Sequence, residues 1–262
     1  MAVDVILTIV KRLWLVPVIL GGWELLARSL ENPYLPTPTL IVSRMYEMWF
    51  SGPYILTEEA IENFVPSLVR VVSAWSVAVI VGVALGVAIG RSATLADYIS
   101  PLIEFGRAVP PPAMLPVFLV LFTMGTQVQL ATIVFGIIWP ILLNSIDGAR
   151  NLDHLKIETA AVFGVPAHLR LVRIILPAAS PKIFAGLRLS VSLALILMII
   201  SELKGSTEGI GYLLNLASNN ADMPAIWAGV LLLGVLGFTL NTLFLMVERR
   251  VLAWHRDAHR IA

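Results

Sequence analysis

Two stretches of this chain carry no charged side chain: the twenty residues 71–90 and the thirty-nine residues 108–146. A helix crosses the hydrocarbon core of a bilayer in about twenty apolar residues, so the longer stretch accommodates a hairpin of two passes. A soluble protein with several buried helices has no need of runs this long. In lipid every backbone amide must find its partner within the protein, which leaves helices or closed barrels. The alternating ten-residue segments of a barrel are missing. The composition agrees, with 58% hydrophobic and 13% charged residues, against about 25% charged in soluble domains. The sequence therefore predicts an all-α integral membrane protein. A net charge of +1 gives no hint of a nucleic-acid partner. The absence of cysteine excludes disulfides, thiolate metal sites and cysteine nucleophiles.

Six spans are predicted within one transmembrane domain covering 1–262: residues 12–28, 66–90, 100–123, 128–148, 183–203 and 224–248. The first resembles a signal peptide, because Lys11 and Arg12 precede an apolar stretch, but no small-x-small cleavage site closes it. It reads as a retained helix. With a cytoplasmic amino terminus, fourteen of the eighteen basic residues fall on the inner segments and span ends, Arg107 and Arg188 among them. Only Arg28, Arg44, Arg70 and Lys204 fall outside. This asymmetry predicts that both termini are cytoplasmic.

Three segments lie between spans. Residues 29–65 form an outer segment that opens with Leu35-Pro36-Thr37-Pro38 and continues into a short helix. That helix, carrying Met45, Met48, Trp49 and Phe50, is expected to rest in the membrane interface, where aromatic rings are favoured. Residues 204–223 form a second outer loop. Residues 149–182 are cytoplasmic and read as two short helices. Asn151 or Asp153 can cap the first, Gly164 can end it in a left-handed conformation, and Pro166 can start the second. Pro177 and Pro181 are expected to end that second helix and redirect the chain into the fifth span. Thirty-four residues of capped helix exceed what a hairpin link requires, which favours an element that docks a partner.

Within this segment Glu158-Thr159-Ala160-Ala161-Val162-Phe163-Gly164, then nine residues, then Ile174-Ile175-Leu176-Pro177, resembles the EAA signature of binding-protein-dependent ATP-binding-cassette (ABC) importer permeases. Glu158, Ala160, Gly164, Ile174, Leu176 and Pro177 fall in register, and Thr159 stands where the first alanine is usual. The likeness extends over most of the chain and narrows to the nitrate/sulfonate/taurine class. Leu35-Pro36-Thr37-Pro38, Ser67-Leu68-Val69-Arg70, Arg107-Ala108-Val109-Pro110, the set Pro140, Asn144 and Gly148, and Glu202 followed by Gly209-Ile210-Gly211-Tyr212 are each similar to that class. Phe122-Thr123-Met124-Gly125 departs from it.

The resemblance implies a type I ABC importer permease fold in the bacterial inner membrane. It implies a coupling helix in which Glu158, Thr159, Ala160, Ala161, Gly164, Leu176 and Pro177 meet a separate ATPase. The further partners implied are a second permease copy or relative and an external solute-binding protein. ATP and magnesium would then sit on the ATPase subunits, with no cofactor in this chain. The cargo would be a small anion of the nitrate, sulfonate or taurine kind, or a heterocyclic compound.

The residues also carry readings of their own. Ala78, Gly82, Gly86 and Gly90 recur every four positions and form one face on which another backbone can approach closely. Pro110, Pro111, Pro112 and Pro116 break the third span, as a buried kink or as the lining of a cavity. Met114, Phe118, Thr123 and Asn144 are the candidates for such a lining. Glu104 and Arg107 can pair as i, i+3 neighbours. Glu202 is open to three readings: an outer gate, a loop anchor, or a plain interface residue. No G-x-x-x-x-G-K-[ST] loop occurs, and His255 with His259 lack a third ligand, so neither an ATPase nor a metal site is expected. An ion-coupled secondary transporter would want ionisable residues at mid-membrane, of which the spans offer almost none. An integral-membrane enzyme lacks its catalytic cluster.

Overall fold

Apolar length dominates the architecture. The computed structural model describes residues 14–53, 55–122 and 125–254, and among them four helices are long and apolar enough to cross a membrane. In chain order the helices are α1 (Leu15–Leu30), α2 (Pro38–Met45), α3 (Glu58–Gly90), α4 (Ala93–Ala108), α5 (Leu115–Leu121), α6 (Thr126–Arg150), α7 (His154–Val162), α8 (Ala167–Arg170), α9 (Leu176–Gly205), α10 (Ile210–Asn219) and α11 (Met223–Val251). Wide π turns follow α2 at Tyr46–Phe50 and α8 at Leu171–Ile175, and a 3-10 turn at Pro111–Met114 precedes α5.

The centre is α6, which packs along α3 on one side and α9 on the other. In lipid, burial alone gives helices little reason to associate, so close backbone approach and its dispersion energy must do so. The expected stripe provides that approach. A Cβ added at Gly82 would lie 2.9 Å from Ile141 Cγ2, and one at Gly90 would lie 2.6 Å from the Ile146 carbonyl. On the other side of α6, a Cβ at Gly148 would lie 2.9 Å from the Ala179 carbonyl. Ile133, Ile137 and Ile141 fill the space between the three helices and are fully buried. Trp75 Nε1 donates to Ser190 Oγ at 2.8 Å, tying α3 directly to α9.

The third span is broken where its prolines fall: the chain is extended at Val109 and Pro110, and Pro111, Pro112 and Pro116 each sit in the first turn of a new helical piece. Several other expectations are corrected. Pro177 and Pro181 do not end the helix that starts at Ala167, which runs unbroken in direction to Gly205 across the predicted boundary at 182/183. The π turn explains the first proline. The Leu176 amide reaches back five residues to the Leu171 carbonyl, so the wider turn clears the Pro177 ring. Ser180 explains the second. Pro181 cannot bond the Pro177 carbonyl, and Ser180 Oγ donates to it at 2.7 Å. Trp49 does not rest in an interface. It is 1% exposed, packed with Ile41, Ala60 and Ala228 and edge-on to Phe64. The outer stretch 204–223 is not simply a loop, since it holds α10. Glu104 and Arg107 are both exposed and form no ion pair among the described residues, since they lie away from the face of α4 that packs through Ala96 and Ile103.

Candidate functional site

Two constructions stand out, one at each end of the bundle. At the end where α6 stops and α9 begins, the chain makes the α7 elbow. Asp153 caps α7 by accepting from the Leu155 amide at 3.0 Å. Gly164 closes it at φ +71°, in the left-handed region that an L side chain enters at a cost of about 1 kcal/mol. The Gly164 amide donates to Ala161 O, and the Val165 amide to Ala160 O, the pair of bonds that terminates such a helix. Pro166 sits just before α8, one residue earlier than expected. Ala160 turns inward and is 7% exposed, while Glu158, Thr159, Ala161 and Gly164 face out. Leu155, Val162 and Phe163 are 70%, 86% and 81% exposed. Leu176 and Pro177 lie at the other end of the elbow, in the first turn of α9.

At the opposite end lies a buried charge knot. Arg70 on α3 and Glu202 on α9 are 2% and 1% exposed, and Arg70 Nη1 donates to Glu202 Oε1 at 2.9 Å. Ser67 Oγ lies 2.9 Å from both Glu202 oxygens, and the Gly211 amide donates to Oε2 at 3.0 Å. The Ile210 amide donates to Ser67 Oγ at 2.9 Å and the Gly209 amide to Asn63 Oδ1 at 2.8 Å. These bonds occupy amides at the start of α10 that have no partner inside their own helix. The second Arg70 nitrogen, Nη2, reaches Glu208 Oε1 at 2.6 Å. A Cβ at Gly211 would lie 2.6 Å from Glu202 Cβ, so the close seat of α10 requires glycine there. Glu202 is thereby bonded to α3 and to the start of α10 at once. The two stretches that meet here, Ser67-Leu68-Val69-Arg70 and Glu202 with Gly209-Ile210-Gly211-Tyr212, are more than a hundred residues apart in sequence.

The sequence profile of binding-protein-dependent transport system inner membrane components matches residues 78–253, a span that includes the end of α3, all of α6 and α9, the elbow, and Glu202 with the start of α10. This chain belongs to that family. As a permease of this kind it is a multi-pass inner-membrane component of an ABC importer, and ATP is bound by a separate subunit rather than by this one. It is 27% identical to the taurine transport system permease protein TauC of Escherichia coli K12, over 90% of this chain and 86% of that protein. It is 28% identical to the nitrate import permease protein NrtB of Synechocystis, over 90% and 86%. With the bicarbonate transport system permease protein CmpB of Synechococcus elongatus it shares 30% identity, over 72% and 68%. The fold matches a chain of the inward-facing MetNI methionine ABC transporter with a TM-score of 0.62 at 16% identity, over 71% of this permease and 93% of that chain.

Three of the candidates for a path lining are among the described residues, on three successive elements. Met114 ends the 3-10 turn, and Phe118 on α5 stacks edge-on to Phe135 of α6 at 6.1 Å between centroids, the start of an aromatic ladder that continues to Trp139. Asn144 is turned toward α9, where a Cβ at Gly186 would lie 2.7 Å from its own Cβ, and its Nδ2 donates to Pro140 O at 2.8 Å. Thr123, His255 and His259 lie outside the described residues. Two groups escaped the sequence reading. Arg70 is read in the sequence for its sign and for its place in Ser67-Leu68-Val69-Arg70, but not for its pairing with Glu202. Arg188 was assigned to the cytoplasmic flank, although six residues separate it from Lys182 and carry it into the predicted fifth span.

Proposed function

We propose that this permease forms half of the membrane path of an importer for a small oxyanion, driven by an ATPase that grips the α7 elbow. The relatives named for taurine, nitrate and bicarbonate are named for cargoes that share one chemistry, an anionic group presenting several oxygens. The observation that carries the coupling role is the elbow itself. It is capped at both ends, yet it exposes Leu155, Val162 and Phe163 side by side with Glu158. An exposed apolar tip on a rigid, capped helix suits insertion into a cleft on another protein. Glu158, Thr159, Ala160, Ala161, Gly164, Leu176 and Pro177 make up the elbow in this reading, and closing of the ATPase pair moves it as a handle. Both termini and the elbow lie on the cytoplasmic side, where the basic residues concentrate. A second permease completes the path and an external binding protein delivers the cargo to the α10 end.

The test is ATP-driven uptake in vesicles carrying the whole transporter. Glu158→Lys and Gly164→Pro should insert normally and hydrolyse ATP without accumulating solute. Solute-stimulated uptake at the unaltered rate in either variant would overturn the coupling role.

A further inference from the structure

We propose that the groove between α9 and α11 lines the translocation path, and that Arg188 within it holds the oxyanion of the passing cargo. The groove has a volume of about 930 Å³ and its lining includes Arg188, Ser192, Asn241 and Glu248 among apolar neighbours. Arg188 and Ser192 stand four residues apart on one face of α9, with Asn241 on the facing side of α11. Lys182 and Glu202 are twenty residues apart on the same helix, about 30 Å, the thickness of a hydrocarbon core. Arg188 lies six residues in from Lys182, about 9 Å deep. Asn241 lies seven residues in from Glu248, about 10 Å along α11 and at a matching depth.

An arginine there cannot be left to lipid, since exposure of its charge inside the hydrocarbon costs about 3 kcal/mol even on the lowest scales. Arg188 is exposed and makes no hydrogen bond or ion pair among the described residues. Arg70, by contrast, is enclosed by two carboxylates. A polar face that neither lipid nor this chain satisfies is turned toward water or a second subunit. Arg188 is the one cation in the groove's lining, and a guanidinium offers paired donors in the plane that oxygens of nitrate, bicarbonate or a sulfonate can accept. Ser192 and the Asn241 amide supply the further donors that a small oxyanion needs once it leaves water. Glu248 stands at the charged end of the groove, where one of its oxygens is buried without a partner. Its negative charge there discourages an anion from settling beyond Arg188.

The choice of an oxyanion rests on the cargo class proposed above, and the experiment keeps the two apart. The chain has no cysteine, so Ser192→Cys and Asn241→Cys each introduce one reporter into the whole transporter in sealed vesicles. Each is labelled from both sides with the anionic 2-sulfonatoethyl and the cationic 2-(trimethylammonium)ethyl methanethiosulfonates. A path lining gives reaction with both reagents, and Arg188→Gln should lower the anionic-to-cationic rate ratio by about tenfold. In the same vesicles Arg188→Gln should abolish uptake of whichever of taurine, nitrate or bicarbonate the unaltered transporter accumulates, with Arg188→Lys keeping part of it. Cysteines at 192 and 241 that react with neither reagent would mean a face sealed by lipid or its phosphates, and would overturn the groove. A rate ratio that Arg188→Gln does not move would overturn the role of Arg188. Correct labelling in a transporter that accumulates none of the three solutes would instead refute the cargo class alone.

Discussion

Arg70 and Glu202 meet at 2.9 Å in a site from which water is excluded, although 132 residues separate them. The carboxylate has three donors around it, from Arg70, Ser67 and the Gly211 amide, and the guanidinium has a second carboxylate in Glu208. The knot is what holds α10 across the ends of α3 and α9, the elements nearest to any cargo arriving at that end.

Loss of one partner should therefore be unequal. Arg70→Met leaves Glu202 charged and enclosed with neutral donors only, and should cost about 3–5 kcal/mol. Glu202→Gln leaves Arg70 its Glu208 partner and should cost less. Thermal unfolding of the purified permease should rank the two in that order, and proteolysis at residues 206–209 should quicken in both. Equal losses would show that Glu208 does not compensate.

The glycine stripe makes a sharper contrast. A Cβ at Gly86 would lie 2.8 Å from the Leu142 carbonyl, against a backbone that cannot step aside. Gly234, inside α11, has no atom within 4 Å of the same position. Gly86→Val should destabilise the α3–α6 pair by about 1–3 kcal/mol, the usual cost of overpacking, whereas Gly234→Ala should be neutral or better. Melting temperatures of the two variants in one detergent decide the matter.

Asp222 does two jobs that can be separated. It accepts from Arg44 Nη2 at 2.6 Å, and it caps α11 by accepting from the Ala225 amide at 3.0 Å. The hydrogen bond to Asp222 raises the pKa of Arg44 against the lowering effect of burial. An arginine with a raised pKa contributes stability that is present below its ordinary range, so alkaline conditions should not release the clasp. Asp222→Asn keeps the cap and removes the ion pair, which is partly exposed and should be worth under about 1 kcal/mol. Asp222→Ala loses the cap too, a further cost of about 1 kcal/mol. Denaturation of both variants at two salt concentrations should show salt dependence falling equally, with Arg44 left its weaker Glu47 partner at 3.5 Å, and stability falling more in the alanine variant.

Much of this was legible in the sequence because it is written locally. The long helices follow from charge-free length, Asp153 caps because its oxygen lies two residues before an amide without a partner, and Gly164 follows from where α7 must stop. Trp49 was misread because an aromatic ring gains in an interface and in a core alike, and only the position of Ala228, far along the chain, decides between them. The Arg70–Glu202 pair was beyond local reading, since pairing in space leaves no period in sequence. Arg188 shows a different limit: counting basic residues to fix orientation assigns each one a side before asking how far along its helix it sits.

The two prolines of α9 offer the most decisive check of why the helix survives them. A proline inside a helix leaves the carbonyl four residues back without its amide, and for Pro181 that carbonyl belongs to Pro177. Ser180 Oγ supplies the missing donor at 2.7 Å. Ser180→Ala should then cost about 1 kcal/mol, because it strands a partly buried acceptor. Pro181→Ala restores an amide at position 181 that can reach the same carbonyl, so the hydroxyl becomes dispensable. Ser180→Ala should be nearly neutral in the Pro181→Ala background, giving a coupling free energy of about the size of the single loss. The four melting curves of this cycle measure it. Additive effects would mean that the Pro177 carbonyl is satisfied elsewhere and that the serine plays no part in carrying the helix through.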